Sequence, residues 1–215
     1  MARTLQAEPD VASTLEAITC AAVRHIGGAA AGVSLLEGGK ITTVAPTDEL
    51  VVTVDKLQHQ FWEGPCLGAI SQHHTYRTGD LESERRWPRF GPAAVGVGVR
   101  SMLAYRLFVT DTTLGALNLY SSERDAFSAQ EEDNGLLFAS HAAVALVGAQ
   151  TEQHLQAAIN ARDVIGMTKG ILMERHGVDA HRAFAMLVQA SQHANRKLHA
   201  VAAWLVDHHL ERRTR

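Results

Sequence analysis

The side chains best suited to bind another molecule lie near the end of the chain, where basic and amide residues interrupt a helical apolar pattern. The candidate binding residues of this segment are Ser191, two amides, Gln192 and Asn195, and two adjacent cations, Arg196 and Lys197. Amide side chains can hydrogen-bond to base edges, while Arg and Lys contact phosphates or stack on bases. Unpaired nucleotides expose those edges, so this pattern favours a looped nucleic acid as the partner.

The helix that precedes this segment carries further candidates. Arg162 and Lys169 fall outside its apolar positions, and Lys169 stands among the small residues Gly166, Thr168 and Gly170. Small neighbours would let a nucleic-acid backbone or loop approach the helix closely. We therefore place Arg162, Thr168 and Lys169 in the same candidate surface.

Simpler roles stay open for the later segment. Ser191 can cap the helix that it ends, and Asn195 can be the N-cap of the next helix. Arg196 and Lys197 can form a solvated first turn. Spacing alone does not decide between these roles and contact with a nucleic acid.

In the N-terminal half, Cys66 follows the turn-forming Gly64 and Pro65 at the predicted start of a short helix. A helix N-terminus favours a thiolate, which would suit a redox sensor. The alternative, which we favour, is a small buried apolar residue. Cys20 is far away in sequence, so the two cysteines suggest no reacting pair, and we expect no catalytic residue.

Trp87 and Arg100 join Cys66 as candidate ligand-binding residues of this half. The arginines of residues 85–100 could line an anion site, but Glu82 and Glu84 are close, which favours a solvated, charge-balanced surface. Neither cysteine has the spacing of a zinc ligand, and the adjacent histidines at 73 and 74 favour a loop over a metal pair. We expect no metal and no cofactor.

Composition allows one large or two small domains, because the chain has 215 residues of which 46% are hydrophobic. Residues 1–150 hold 11 Lys and Arg against 17 Asp and Glu, whereas residues 151–215 hold 9 against 6. The basic C-terminal part is thus the better candidate for a nucleic-acid partner. The N-terminus lacks a signal-peptide core and no long apolar run occurs, so we expect a cytoplasmic protein without membrane contact.

Periodicity predicts helices and strands in alternation over the N-terminal part. Apolar residues recur at helical spacing over residues 11–26, and strands at 31–36 and 40–45 are joined by a Gly-Gly hairpin turn. Residues 48–62 carry strand-forming valines at helical spacing, and we predict a helix. Further predictions are a short strand at 74–77, a helix at 87–97, and paired strands at 101–109 and 114–122.

Ser128 and Glu131 form a capping-box pattern that predicts the start of a long helix. No proline follows up to His176, so we expect one helix, with a break near Gly148 or Gln150 left open. Its apolar stripe is typical of a helix that pairs with another: Val144, Val147, Leu155 and Ile159.

Two short helices are predicted to follow, one over residues 180–190 capped by Asp179 and one from Asn195 to about residue 209. Their packing residues are predicted to be Ala183, Phe184, Leu187 and Ala190 in the first, and Leu198, Val201, Ala202 and Leu205 in the second.

The N-terminal half resembles a GAF domain in four segments, at residues 63–69, 87–90, 98–101 and 114–120. The resemblance covers residues 10–148. It implies an α+β fold with a central antiparallel sheet and flanking helices. It also implies a sensory module that binds a small molecule or serves in dimerisation and signal relay, and a GAF-fold redox enzyme using Cys66 is an alternative.

Through residues 165–175 and 191–198, the C-terminal part resembles an ANTAR domain, the RNA-binding module of bacterial antiterminators. The resemblance runs from about residue 159 to 206, and the predicted domain covers residues 149–209. The resemblance implies a three-helix domain whose first helix adjoins a long coiled-coil helix. It also implies a homodimer that binds tandem RNA hairpins in a leader transcript and prevents terminator formation. Thr168 departs from the family, which usually has alanine there. The alternative is a DNA-binding regulator, although the last helix offers few side chains that read a groove.

Overall fold

The structure is a computed structural model that describes residues 11–213, with side chains described for residues 11–208. Its elements are α1 (Val11–Ile26), β1 (Ala30–Glu37), β2 (Lys40–Val44), α2 (Glu49–Phe61), α3 (Pro65–Gln72), β3 (Tyr76–Thr78), α4 (Phe90–Gly96), β4 (Ser101–Val109), β5 (Thr112–Ser121), α5 (Ala129–His176), α6 (Ala180–Ala194) and α7 (Leu198–Arg213). Residue 10, the predicted first residue of the N-terminal domain, lies outside the described residues.

The chain divides into two compact units, residues 1–150 and residues 151–215. In the first unit, five antiparallel strands form one sheet in the order β2-β1-β5-β4-β3. The predicted α+β class is confirmed. No described helix is long and apolar enough to cross a membrane.

Strand alternation sorts the side chains onto the two faces of this sheet. Leu117 and Leu119 of β5 pack in one core cluster with apolar residues of α1 and α5. The intervening Tyr120 packs in a second cluster with residues of α2 and α4. Polar residues of β1 and β5 that share this second face, Ser34 and Asn118, are fully buried. The sheet thus has an apolar face and a face that buries polar groups under α2.

Several local predictions are confirmed. The valine-rich segment predicted at residues 48–62 contains helix α2. Asp48 is its N-cap and accepts a hydrogen bond from the backbone N–H of Leu50 at 2.7 Å. Ser128 and Glu131 form the capping box, with the backbone N–H of Ser128 donating to the Glu131 carboxylate at 2.7 Å. Helix α5 then runs unbroken to His176.

The predicted helix at 87–97 is too long, since α4 begins only at Phe90. Trp87 is buried in the core beneath the preceding loop, and Arg89 is held by Glu63, whose carboxylate accepts from its backbone at 2.9 Å and its guanidinium at 2.8 Å. These contacts fix residues 87–89 outside the helix.

The second unit has its own small core, formed by α6, α7 and the last part of α5. Its buried members are Leu172, Ala183, Leu187, Val201 and Ala202. Two predicted core residues of α6 lie outside it, because Phe184 and Ala190 are exposed. The predicted packing of α7 through Leu198, Val201, Ala202 and Leu205 is confirmed.

Candidate nucleic-acid interface and candidate sensory site

The turn between α6 and α7 is fixed by hydrogen bonds of its own backbone. Asn195 ends α6 in the left-handed conformation, with φ of 50°, which Asn tolerates better than most residues. The N–H of Arg196 donates to the Ser191 carbonyl at 3.1 Å, and the Ser191 hydroxyl donates to the Arg196 carbonyl at 2.6 Å. The prediction that Asn195 begins the last helix is therefore wrong: it ends α6, and α7 begins at Leu198.

This turn presents the predicted amides and cations to solvent. Gln192, Asn195, Arg196 and Lys197 are all exposed. Among the described side chains, no carboxylate lies within 4.0 Å of Arg196 or Lys197. Ser191 is half-buried, and its hydroxyl shapes the turn. The turn thus combines fixed geometry with positive charge that no described side chain neutralises.

The start of α7 strengthens this positive surface. The carbonyl of Lys197 accepts from the N–H groups of Ala200 and Val201, so Lys197 stands at the N-cap position. A lysine side chain cannot accept hydrogen bonds and so cannot cap the first N–H groups of the helix. Those groups, with Arg196 and Lys197 beside them, suit an external anion such as a phosphate.

Lys169 lies on the part of α5 that contacts α7. The adjacent Thr168 donates to the carbonyl of Ala202 at 3.0 Å. Ala202 is four residues into α7 from Leu198, which corresponds to about 6 Å along the helix. Lys169 thus follows a residue that contacts α7 near its first turn. Arg162 lies seven residues before Lys169, hence on the same side of α5, and is exposed.

Thr168 does not belong to this surface. Its side chain is fully buried, and its hydroxyl lies 2.9 Å from the Val164 carbonyl and 3.0 Å from the Ala202 carbonyl. The placement corrects the prediction that Thr168 faces a nucleic acid. The hydroxyl instead connects α5 to α7 inside the small core.

The three candidate ligand residues of the first unit do not line one cavity. Cys66 is buried among Ala69, Ala104 and other small residues, whereas Trp87 belongs to the cluster under α2 and α4. Arg100 donates to the Glu82 carboxylate at 3.0 Å. Burial raises the pKa of the Cys66 thiol to about 12. The favoured prediction of a small buried residue at Cys66 is confirmed, and the alternative of a thiolate is contradicted, because desolvation outweighs the helix dipole.

The polar residues that the structure does bring together surround Asp55 of α2, which is almost fully buried. Its carboxylate accepts from the hydroxyls of Ser34 at 3.2 Å and Thr43 at 2.7 Å. It also accepts from the Gln58 amide at 3.1 Å and from the Tyr120 hydroxyl. Burial raises the pKa of Asp55, and these donors oppose that rise. No described Lys or Arg forms an ion pair with it.

The cluster continues from Asp55 toward α3. The side-chain oxygen Oε1 of Gln58 accepts a hydrogen bond from the backbone N–H of Cys66 at 2.9 Å. The Asn118 amide donates to the Ser34 hydroxyl at 3.0 Å, while its own carbonyl oxygen is buried without a described donor. Sequence reasoning missed this cluster. One signal was available, since Asp55 lies four residues after the buried Val51, on the apolar face of α2.

Two family models match the chain. A GAF domain model matches residues 8–147, and an ANTAR domain model matches residues 153–206. The chain belongs to the GAF domain family and carries an ANTAR domain. An ANTAR domain implies an RNA-binding antitermination regulator, here one with a GAF sensory domain. No curated protein matches the chain.

Solved structures confirm the GAF fold. Type II free methionine-R-sulfoxide reductase from Thermoplasma acidophilum is 18% identical with a TM-score of 0.51, covering 63% of this chain and 92% of that one. The GAF-B domain of DevS from Mycobacterium smegmatis is 20% identical with a TM-score of 0.52, covering 68% and 99%. The cyanobacteriochrome TePixJ GAF domain is 19% identical with a TM-score of 0.53, covering 70% and 98%. At these identities the likeness concerns the fold alone.

The two domains differ in how their positive charges are neutralised. Five arginines of the GAF domain form ion pairs with nearby carboxylates: Arg77, Arg86, Arg89, Arg100 and Arg124. The Arg86 guanidinium even lowers the pKa of Glu84 to about 2. In the described part of the ANTAR domain, Arg162, Lys169, Arg196 and Lys197 form no such pair. These five arginines of the GAF domain thus balance charge, whereas the four named cations of the ANTAR domain have no carboxylate partner among the described side chains.

Proposed function

We propose that this chain binds tandem hairpin loops in leader transcripts as a homodimer and thereby prevents terminator formation. The observation that carries the proposal is the α6–α7 turn, where exposed amides and unneutralised cations are held in a fixed backbone. An RNA loop requires this combination, because its phosphates attract cations and its unpaired bases expose hydrogen-bonding edges.

Each side chain of the surface has an assigned role in the proposal. Lys169, Arg196 and Lys197 contact phosphates, and Arg162 extends the cationic stripe of α5. Gln192 and Asn195 hydrogen-bond to base edges, and Ser191 keeps the turn in shape. The turn's backbone bonds support this division, since the exposed amides need no rearrangement before binding.

The homodimer is proposed to form along α5. Residues 151–160 are exposed on every side of that helix, including Leu155 and Ile159. Leu137 and Val144, seven residues apart, are exposed as well. A helix with no packing of its own is marginal in water, and an apolar stripe near heptad spacing favours pairing with an identical helix. Two copies would engage two hairpins and raise the avidity through effective concentration.

Signal response is proposed to be a population shift. A small molecule in the GAF domain, or another change of that domain, would favour one pairing of α5 over another. The buried Asp55 cluster supports a sensory role, because it joins α2 to the strands through polar contacts that a change in the domain can rearrange.

The proposal includes no catalysis. The Cys66 thiol is buried and protonated at neutral pH, which argues against a nucleophilic or redox role. Duplex DNA binding is the competing function for the C-terminal helices. Competition between duplex DNA and hairpin RNA at matched salt separates the two, because both polyanions share the electrostatic attraction.

The direct test is a gel shift of the full chain with RNA recovered by crosslinking and sequencing. Lys169→Glu and Arg196→Glu are each expected to weaken binding by about tenfold or more and to reduce the salt dependence. Lys56→Glu, which makes the same charge change at an exposed site of the GAF domain, is the control and should bind as wild type. Equal binding by all three variants would refute the assigned interface.

Dimerisation needs a separate measurement. Leu155→Asp combined with Ile159→Asp places charges on the exposed stripe, and the molar mass in solution should fall from that of a dimer to that of a monomer. A wild-type chain that is monomeric at the concentrations of RNA binding would remove the dimer from the proposal.

A further inference from the structure

A large aromatic side chain of the ANTAR domain lies outside both the core and the surface described above. Trp204 of α7 is 50% exposed, although its neighbours Val201, Ala202 and Leu205 pack in the small core. Large aromatic side chains dominate the energetics of cores and interfaces, and half of this indole is available to a partner.

The indole is paired with one other ring. The rings of Trp204 and His208 lie with centroids 4.1 Å apart and an interplanar angle of 32°. The Nδ1 atom of His208 lies 2.9 Å from the carbonyl oxygen of Trp204. A carbonyl only accepts, so Nδ1 must carry the proton and donate, which fixes the tautomer and the position of the ring. His208 therefore supports one side of the indole.

The ring pair shares a face of α7 with one cation of the turn. Trp204 follows Lys197 by seven residues, so it lies about two turns or roughly 10 Å further along the same face. His208 continues that face by one more turn. The aromatic pair is thus in line with the unneutralised positive charge at the start of α7.

The local charges favour an uncharged aromatic ligand at this point. Asp207 is exposed and lies three residues from Trp204, hence beside it on the helix surface. Its negative charge disfavours a phosphate next to the indole but has little effect on a neutral ring. A nucleobase suits this position, because it is an uncharged aromatic ring and the phosphates of its strand can contact Lys197.

We propose that Trp204, supported by His208, is a stacking platform for an unpaired base of the bound RNA. The inference rests on the proposed function and extends its interface along α7 from Lys197. Stacking on an indole tolerates every base because each has a π-face. The platform therefore adds affinity for unpaired nucleotides, while the amides of the turn distinguish between bases.

The probe for the test is a fluorescently labelled tandem-hairpin RNA that crosslinking to the full chain and sequencing have recovered. Binding of the full chain is measured by anisotropy over a range of salt concentrations. Trp204→Leu should weaken binding about tenfold at every salt concentration with an unchanged salt slope. Trp204→Phe keeps an aromatic face and should stay within about threefold of wild type. Lys197→Gln should instead reduce the slope by about 0.7.

Trp62 provides the matched control, because it is an indole of the GAF domain that is 79% exposed. Trp62→Leu should bind as wild type. Thermal unfolding and molar mass of the Trp204 variants should equal those of wild type. Equal affinity of Trp204→Leu and wild type overturns the inference. So does a Trp204→Leu chain that loses its oligomeric state, since the indole would then serve contact with a second copy.

The two proposals fail in different ways. If the wild-type chain does not bind the tandem-hairpin RNA, the proposed function fails and the platform with it. If wild type binds and only the charge variants lose affinity, the proposed function stands and the platform is refuted.

Discussion

Replacing Thr168 by valine tests whether this residue connects helices or contacts RNA. Valine keeps the shape and the β-branch of threonine but lacks the hydroxyl, which lies 3.0 Å from the Ala202 carbonyl across the helix pair. The carbonyl oxygens of Val164 and Ala202, which accept from this hydroxyl, should each keep the hydrogen bond from the backbone N–H four residues later in its helix. No buried acceptor is then left without a hydrogen bond. The expected cost is then that of one net hydrogen bond, about 1 kcal/mol.

The measurement is amide hydrogen exchange of peptides that cover α7. A loss of about 1 kcal/mol in the local opening free energy corresponds to about fivefold faster exchange. Thr53→Val is the control, because the Thr53 hydroxyl makes the same type of bond within its helix, to Glu49 at 3.2 Å, on an exposed surface. That substitution should change stability by no more than about 0.5 kcal/mol.

RNA affinity separates the two roles of Thr168. A buried connector should leave the affinity of Thr168→Val for hairpin RNA within about twofold of wild type, because the cationic turn and Lys169 are unchanged. Unaltered exchange in α7 together with a large loss of RNA affinity would refute the reasoning from burial, and Thr168 would return to the interface.

Three further predictions follow from the same structure. Iodoacetamide should label the exposed Cys20 of the native chain and leave Cys66 unmodified until denaturant is added, as counted by mass spectrometry, and rapid native labelling of both would contradict the raised thiol pKa. Burial raises the pKa of Asp55 above its ordinary value of 3.8, so the stability that this group contributes is full below that value and is lost as the pH rises through the folded pKa. Urea unfolding at a series of pH values should show this decline in wild type and its absence in Asp55→Asn. Gly166→Ala and Gly170→Ala should each stabilise the ANTAR domain by up to about 1 kcal/mol, measured by thermal unfolding, yet weaken RNA binding in the gel shift.

The elements that local periodicity and capping specify could be predicted from the sequence. Helix α2 was predicted despite its valines, because the spacing of Leu50, Val54, Leu57 and Phe61 outweighed their strand propensity. The start of α5 was predicted from the capping box of Ser128 and Glu131. These signals involve residues within a few positions of each other, so they need no knowledge of the tertiary fold.

The role of Asn195 could not be decided locally. Asn is favoured both before a helix and in the left-handed position after one, and Arg196 and Lys197 suit either arrangement. The structure decides through the bonds between Ser191 and Arg196, which close α6 before α7 begins. Because Asn195 suits both positions, the predicted start of the last helix lies three residues before the observed start at Leu198.

The two buried polar sites depended on contacts between distant residues. Thr168 stood among small residues beside a lysine, and only the approach of Ala202, which is 34 residues away, turns its hydroxyl into a core group. Asp55 is satisfied by groups up to 65 residues away, such as the Tyr120 hydroxyl. Pairings at such separations have no local signature in one sequence.

Two glycines of α5, Gly166 and Gly170, lie beside Lys169 of the proposed RNA surface. Gly166 and Gly170 are exposed in the middle of a helix, where each costs up to about 1 kcal/mol relative to alanine. A Cβ atom built on either would meet no described atom within 4 Å, so nothing in the described chain requires glycine there. Both flank Lys169 on the side of α5 away from Thr168 and the core. The proposed contact between Lys169 and an RNA backbone would account for their position, because small neighbours permit a close approach.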